Sequence, residues 1–360
     1  MAASPMVTGL DEVMDWPAVW NPENPSHQRL WGMIEATFAA RGVVEGHGAG
    51  LRTLAEINAF AAAGLASDHE MMTADEAWDK LRHGLFIEIR IHSMTEIVTG
   101  LLQKGLVDWS QVAFATDDRS ATLTLESGAT DHNIRTAIAA GLPAEIAIQC
   151  ATINPARHMR LTPWVGSISP GRFADVVLLE DVAALKIAKV WADGAQISEG
   201  TSFIGKVPDI AWPQWATETI NIRREIMPAD FAIKAAPGRT TMQAAVIRPF
   251  HWHPDFYTME LPVMDGEVQR LDSENLTKFA IVDRFSGDGT VAKMFWRGCG
   301  PRDPDTAVAC SVAHDKHNIW TCGSSDAAMA LAVNTLRETQ GGWALVHKGK
   351  VTATVRFEIG

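Results

Sequence analysis

His47, His69 and Asp117 each follow a short run of small and apolar residues, in EGHGAGL (45–51), ASDHE (66–70) and FATDDR (114–119). His47 and His69 are 22 positions apart, and His69 and Asp117 are 48 apart. A strand, a helix and their loops together take roughly 20–30 residues, so these intervals read as one strand–helix unit and then two. That spacing puts one metal-binding type of side chain at the C-terminal end of each of three parallel strands, where (β/α) barrels build their active sites. Glu12 adds a fourth ligand type, one longer unit before His47. Mixed imidazole and carboxylate donors suit Zn²⁺, Mn²⁺ or Fe²⁺, and the carboxylates favour Mn²⁺ or Fe²⁺. A cation held this way makes bound water acidic. Asp117, a carboxylate beside it, would take the proton from that water and pass it to a leaving group. A lone histidine at a strand end is more often structural than a ligand; the reading rests on the set.

The elements that must position these residues can be read from periodicity and caps. A strand is expected over 5–10, leading to Asp11, Glu12 and Asp15, and a helix over 25–41 from Leu30, Ile34 and Phe38. A short strand over 43–46 ends at His47. Thr53 with Glu56 and Thr73 with Glu76 are capping-box pairs, and Gly64 and Gly84 are C-terminal stops. The two boxes predict helices from 54 to 63 and from Thr73 to Gly84, with a brief strand over 65–67 between them. Strands over 85–91 and 111–116 and a helix over 95–103 complete five strand–helix units. Helices follow over 131–140, 143–150 and 155–160, with Pro143 in the first turn of the second and Asn154 capping the third. This alternation indicates α/β class with parallel sheet; a closed barrel needs eight units.

Beyond the helices the character changes. Residues 166–205 read as a small β-sandwich segment, 206–226 as a Pro- and Trp-bearing linker, and 227–360 as an α+β domain. That domain has strands over 242–247, 279–282 and 352–357, and a helix over 326–338. The first 165 residues are the strand–helix region. The 360 residues are 47% hydrophobic and 21% charged, ordinary for a globular chain. The net charge of −12 argues against a phosphate-backbone partner, hence no nucleic acid. No apolar run approaches the ~20 residues of a membrane span. The N-terminus lacks signal-peptide character. The cysteines, Cys150, Cys299, Cys310 and Cys322, form no CxxC and read as buried thiols of a cytoplasmic protein.

The runs VTGLDEVMDWPAV (7–19), EGHGAGL, EINAFAAAGLASDHE (56–70), LRHGL (81–85) and ATDDR (115–119) resemble adenine deaminase of the amidohydrolase superfamily. GSISPGRFADVVLLED (166–181) is similar to the family's strand pair after the barrel, and SVAHDKHNIWTCGSSDAAMALAVN (311–334) to its C-terminal domain. The match keeps its order over nearly the whole chain. It implies a binuclear divalent-metal site in a TIM-type barrel that deaminates adenine to hypoxanthine and ammonia, with metal-bound hydroxide attacking purine C6. Glu12 then stands at the metal-bridging carboxylate, His47 and His69 at the ligands of the fifth and sixth strands, and Asp117 at the eighth-strand ligand and proton shuttle. Glu70 is the candidate proton donor to a ring nitrogen. Asp118, Arg119 and His92 are candidate substrate contacts.

The chain also departs from the family pattern. The family takes two ligands from a His-x-His on its first barrel strand, and only eleven residues precede Glu12. The sole His-x-His, His251-Trp252-His253, lies far beyond the barrel region and reads as a loop. The strand–helix region is therefore expected to be strands four to eight of a partial barrel, truncated at the N-terminus and short at the C-terminus. His92 stands where the family has the glutamate of Arg-Glu-Gly-Ser, and His132 in GATDHN is a shifted candidate for a substrate histidine. His314, Asp315 and His317 read as a turn before a strand, and His27, His83, His158 and His347 as surface or helix-end residues. Adenine is the expected partner, with a homo-oligomer or the remaining barrel half completing the fold. The alternatives are a catalytically incomplete fragment or scaffold partner, or a related amidohydrolase acting on another aminopurine or cyclic amide.

Overall fold

Strands in the first half of the chain bury one face against helices and turn the other toward polar side chains, and this alternation organises the site. The computed structural model describes residues 7–248, 255–314 and 317–359. The chain forms two compact units, Met1–Val207 and Pro208–Gly360.

The first unit begins with β1 (Gly9–Val13), the helical turn α1 (Pro17–Trp20), α2 (His27–Ala39) and β2 (Val43–Gly46). Then come α3 (Leu54–Ala62), β3 (Ser67–Asp68), α4 (Ala74–Arg82), β4 (Phe86–Arg90), α5 (Met94–Gln103) and β5 (Val112–Ala115). β1 pairs in parallel with β2, and β3, β4 and β5 pair in parallel in that order. The Ala66 N–H donates to the Val44 carbonyl at 2.8 Å, which sets β3 beside β2. Five parallel strands thus follow one another in chain order with helices between them, an α/β arrangement.

Both expected capping boxes form. The Thr53 and Thr73 hydroxyls accept from the Glu56 and Glu76 amides, starting α3 and α4. Gly64 and Gly84 take positive φ after the helices end. Ile87 and Ile89 of β4 and Val112 of β5 are fully buried against α5 and the helices after it. On the other side of the unit, Val13, Val44, Ile34, Ile57 and Phe60 form a second core.

Several local expectations shift. Glu12 lies within β1 rather than after a strand ending at Leu10, and residues 5 and 6 lie outside the described residues. The helix α6 (Ala121–Ser127) was not anticipated; the Ser120 hydroxyl caps it. After α7 (Thr130–Ala139), Pro143 is the N-cap of α8 (Ala144–Cys150) rather than its first helical residue. Asn154 does not cap the next helix but lies inside α9 (Ile153–His158). Its amide donates instead to the carbonyls of Trp109 at 2.8 Å and Val112 at 3.0 Å, a use of Asn that a cap motif does not distinguish.

Residues 166–205 form one antiparallel sheet rather than a sandwich of two: β6 (Val176–Asp181), β7 (Lys186–Ala192), β8 (Ala195–Glu199) and β9 (Ser202–Phe203), paired in sequence order.

The second unit holds α10 (Gln214–Thr217) and, among the described residues, a nine-stranded sheet. Its strands are β10 (Thr241–Arg248), β11 (Asp255–Met264), β12 (Glu267–Val268), β13 (Leu276–Val282), β14 (Val291–Arg297), β15 (Ala307–Cys310), β16 (Ile319–Gly323), β17 (Gly342–His347) and β18 (Lys350–Arg356). The helix α11 (Asp326–Thr339) packs on one face through Met329, Val333 and Leu336. Part of the expected linker belongs to this core: Ile220, Ile222 and Ile226 are buried in it. The Asn334 side chain holds Ile226 from both sides, accepting from its N–H at 3.0 Å and donating to its carbonyl at 2.8 Å. All four cysteines are free; Cys150, Cys310 and Cys322 are buried, whereas Cys299 is exposed. No helix among the described residues is long and apolar enough to cross a membrane.

Candidate metal centre

Side chains two apart on a strand share a face. Glu45 and His47, Ser67 and His69, and Glu88 and Arg90 therefore project together from β2, β3 and β4, opposite the isoleucines and valines that meet the helices. Asp117, just after β5, has φ +49, the left-handed region that Asp tolerates better than most residues.

At the strand ends Glu12 is the centre of a tight group. Its Oε2 lies 2.9 Å from His47 Nδ1 and 2.8 Å from His69 Nε2. The two imidazole rings meet edge to face with centroids 5.1 Å apart. Bonds to His47 and then His69 hold the Glu12 carboxyl well below the usual carboxylate range, outweighing its burial. Burial opposes protonation of His69, but bonds to Glu12 and Glu88 outweigh it and raise that imidazole to about 10. His47 moves up for the same reasons: burial opposes, and Glu12 and Glu70 prevail.

A second group shares His69. His69 Nε2 is 3.6 Å from Asp117 Oδ2 and 3.7 Å from Glu70 Oε1. Arg90 Nη1 binds both carboxylates, Glu70 at 2.9 Å and Asp117 more closely. Burial works against ionisation of Asp117, yet Arg90 holds its carboxyl below the ordinary value. His92, 3.5 Å from Arg90 Nη2, is moved down by burial and by that guanidinium.

Donor atoms of Glu12, His47 and His69 lie within 4.8 Å of one another, as do those of His69, Glu70 and Asp117. Two imidazoles and three carboxylates in two groups joined at His69 fit a divalent cation site. The structure thus brings Glu12, His47, His69 and Asp117 together and adds Glu70 to the donor set. Asp118 donates its backbone N–H to Asp117 Oδ1 at 2.6 Å. Arg119 is turned toward the helices: its Nη2 lies 3.1 Å from the Leu123 carbonyl and 2.9 Å from His132 Nδ1.

Sequence reasoning passed over Arg90 and Glu88, although their alternation with Ile87 and Ile89 in LFIEIRI marks them as sharing a face. His158 ends α9, as expected of a helix-end residue, but its side chain, 10% exposed, stacks on Phe86 at 4.0 Å and is bonded to Glu45 Oε1 at 2.9 Å. Glu45 also accepts from the Ser67 hydroxyl. His27, His83 and His347 bond locally, to the Ala18 carbonyl, the Asp79 carbonyl and the Thr306 hydroxyl. The His251-Trp252-His253 run and Asp315 lie outside the described residues. Near Asp315, His317 has φ +50 ahead of β16, as a turn residue does.

The chain is similar to known proteins over its whole length. Residues 34–197 match the amidohydrolase family, and residues 255–360 match the adenine deaminase C-terminal domain. Adenine deaminase 2 of Bradyrhizobium diazoefficiens is 74% identical over 360 residues, which is 100% of this chain and 58% of that protein. Adenine deaminase 2 of a Jannaschia species is 65% identical over 99% of this chain and 57% of its own length. A β-aspartyl dipeptidase of Fervidobacterium islandicum superposes on 52% of this chain and 57% of its own, with 16% identity and a TM-score of 0.41.

The α/β fold fits the amidohydrolase match over residues 34–197, and that family implies a divalent metal. The chain matches adenine deaminases over its whole length, at 74% and 65% identity, and carries a match to their C-terminal domain. It spans somewhat more than half the length of the relatives it matches, 58% of the Bradyrhizobium protein.

Proposed function

We propose that Glu12, His47, His69 and Asp117 hold a divalent-metal centre for hydrolytic deamination of adenine to hypoxanthine and ammonia. The observation that carries this reading is Glu12 Oε2 standing 2.9 Å from His47 and 2.8 Å from His69, on separate parallel strands. The names of the relatives at 74% and 65% identity support the substrate. The five parallel strands are read as strands four to eight of a (β/α) barrel, with residues 1–165 as that barrel region and 166–205 as its β segment. The resemblance to adenine deaminases implies a binuclear site, and the carboxylates among the donors favour Mn²⁺ or Fe²⁺ over Zn²⁺.

When bound, the cation supplies Lewis-acid charge and makes water acidic enough to attack at neutral pH. The chain's own residues move the protons. Asp117, kept ionised by Arg90, accepts a proton from the attacking water. Glu70, in its protonated form, gives one to a ring nitrogen as C6 becomes tetrahedral and recovers one from the C6 hydroxyl as the carbonyl forms. Asp117 then returns its proton to the exocyclic amine, which leaves as ammonia. His92 and Asp118 are read as substrate-side contacts at the strand ends, whereas Arg119, bonded to the Leu123 carbonyl and His132, is not.

The test pairs bound metal with ammonia release from adenine, in the wild type and in a His47→Ala/His69→Ala variant loaded with Mn²⁺. Metal content and metal-dependent ammonia release should both fall at least about tenfold in the variant. Equal metal content in the two proteins would overturn the reading.

A further inference from the structure

One carboxylate outside the donor set joins the two loops that carry His47 and His69. Asp68 is the neighbour of His69 in sequence and points to the opposite face of β3, toward α4. It is fully buried. Its Oδ1 accepts two backbone N–H groups, from Gly48 at 2.6 Å and from Glu70 at 3.0 Å. Gly48 immediately follows His47, and Glu70 immediately follows His69. The other oxygen, Oδ2, binds Lys80 Nζ of α4, whose side chain is 2% exposed.

The approach at Gly48 leaves no room for slack. A Cβ there would lie 2.7 Å from Asp68 Cγ and 2.7 Å from Leu51 Cδ1. A buried ion pair is a poor source of stability, because desolvating two charges offsets most of their attraction. Its use here is geometric. Lys80 fixes the carboxylate on a helix, and the carboxylate fixes two loop amides to each other.

We propose that Asp68, anchored by Lys80, is a positioning residue that sets the separation of His47 and His69 and thereby the metal affinity of the centre. The proposal rests on the metal reading given above. Without the anchor, the backbone after His47 loses its tie to the backbone after His69, although neither imidazole is altered.

The test uses the full chain with Lys80→Met, Asp68→Asn and the double variant. Two readouts are taken: amide hydrogen exchange at Gly48 and Glu70, which needs no metal, and titration with Co²⁺ followed by its visible absorption. Lys80→Met should raise exchange at those two amides while the remaining strand amides stay protected, and should weaken Co²⁺ binding about 10- to 100-fold. Asp68→Asn with Lys80→Met keeps an oxygen acceptor and removes the unpaired buried carboxylate charge but still lacks the anchor, so it should regain stability while exchange at both amides and Co²⁺ affinity stay at the Lys80→Met level. A folded Lys80→Met protein with wild-type Co²⁺ affinity overturns the proposal. So does protection lost evenly through the unit with affinity per folded molecule unchanged, since that is the signature of a purely structural pair. If Co²⁺ binding by the wild type proves independent of His47 and His69, the metal reading fails on its own. Exchange at the two amides then decides whether the tether exists.

Discussion

Arg90 and Asp117 form an ion pair that ties the end of β4 to the loop just past β5. The same guanidinium holds Glu70, so three strand ends converge on one cation of the protein itself. Both partners of the pair are mostly buried. Arg90 therefore does two things: it keeps Asp117 ionised, and it offsets the repulsion between Asp117 and Glu70.

Replacing Arg90 with Met should leave two neighbouring carboxylates without their shared partner. The chelator-treated variant should lose about 1–3 kcal/mol of stability. Added Mn²⁺ should restore more of that loss in the variant than it adds to the wild type, because a ligand that binds only the native state stabilises it. Thermal melts with and without Mn²⁺ check this; an equal metal-induced shift in both proteins refutes it.

Gly46 lies between Glu45 and His47 where β2 meets α3. A Cβ there would come within 2.4 Å of both the Phe60 ring and the Ser67 carbonyl. Gly46→Ala is expected to cost about 1–3 kcal/mol through overpacking. Denaturant midpoints measure the loss, and a variant within experimental error of wild type would show that Phe60 yields freely.

Asn334 grips the backbone of Ile226 with both ends of its amide. Asn334→Ala should strand a polar pair and cost about 1–3 kcal/mol, with the loss confined to the second unit. Limited proteolysis should show new cleavage near residues 220–226. If those bonds stay resistant, Asn334 is not what holds the segment.

Asp131 supplies an acid-dependent contribution. Burial opposes its ionisation, but the Ala129 N–H at 2.7 Å and Arg135 at 2.8 Å outweigh it and lower its folded-state value. A depressed carboxyl stabilises the fold above its unfolded value, about 3.9. That contribution is lost as pH falls through the lower folded value. The stability difference between wild type and Asp131→Asn should thus be flat above about pH 5 and shrink on acidification. Urea unfolding from pH 3 to 7 reads it; a difference that grows toward acid pH would contradict the assignment.

The donor residues were legible because strand ends recur at whole strand–helix intervals, and a single His or Asp after an apolar run marks each end. The starts of α3 and α4 were legible because a capping box uses residues three apart. What lay beyond local reach was pairing. Nothing in the intervals says that Arg90 meets Asp117, or that His158 meets Glu45, 113 positions earlier. Asn154 was misread because a helix cap and a distant carbonyl present the same chemistry to an amide. Glu12 was placed after its strand because the pairing of β1 with β2, not its own residue pattern, decides where β1 ends.

Asn154 has one more consequence. Among the described residues β5 is an outer strand of its sheet, with β4 on one side. The bond from Asn154 to the Val112 carbonyl puts a side-chain amide on a backbone acceptor of that strand. An outer strand with free carbonyls is a template for a foreign strand. Here α9 returns to occupy one of those acceptors. The helix that closes the strand–helix region thus satisfies a backbone acceptor that β4 leaves open, a task quite separate from any chemistry at the opposite ends of the strands.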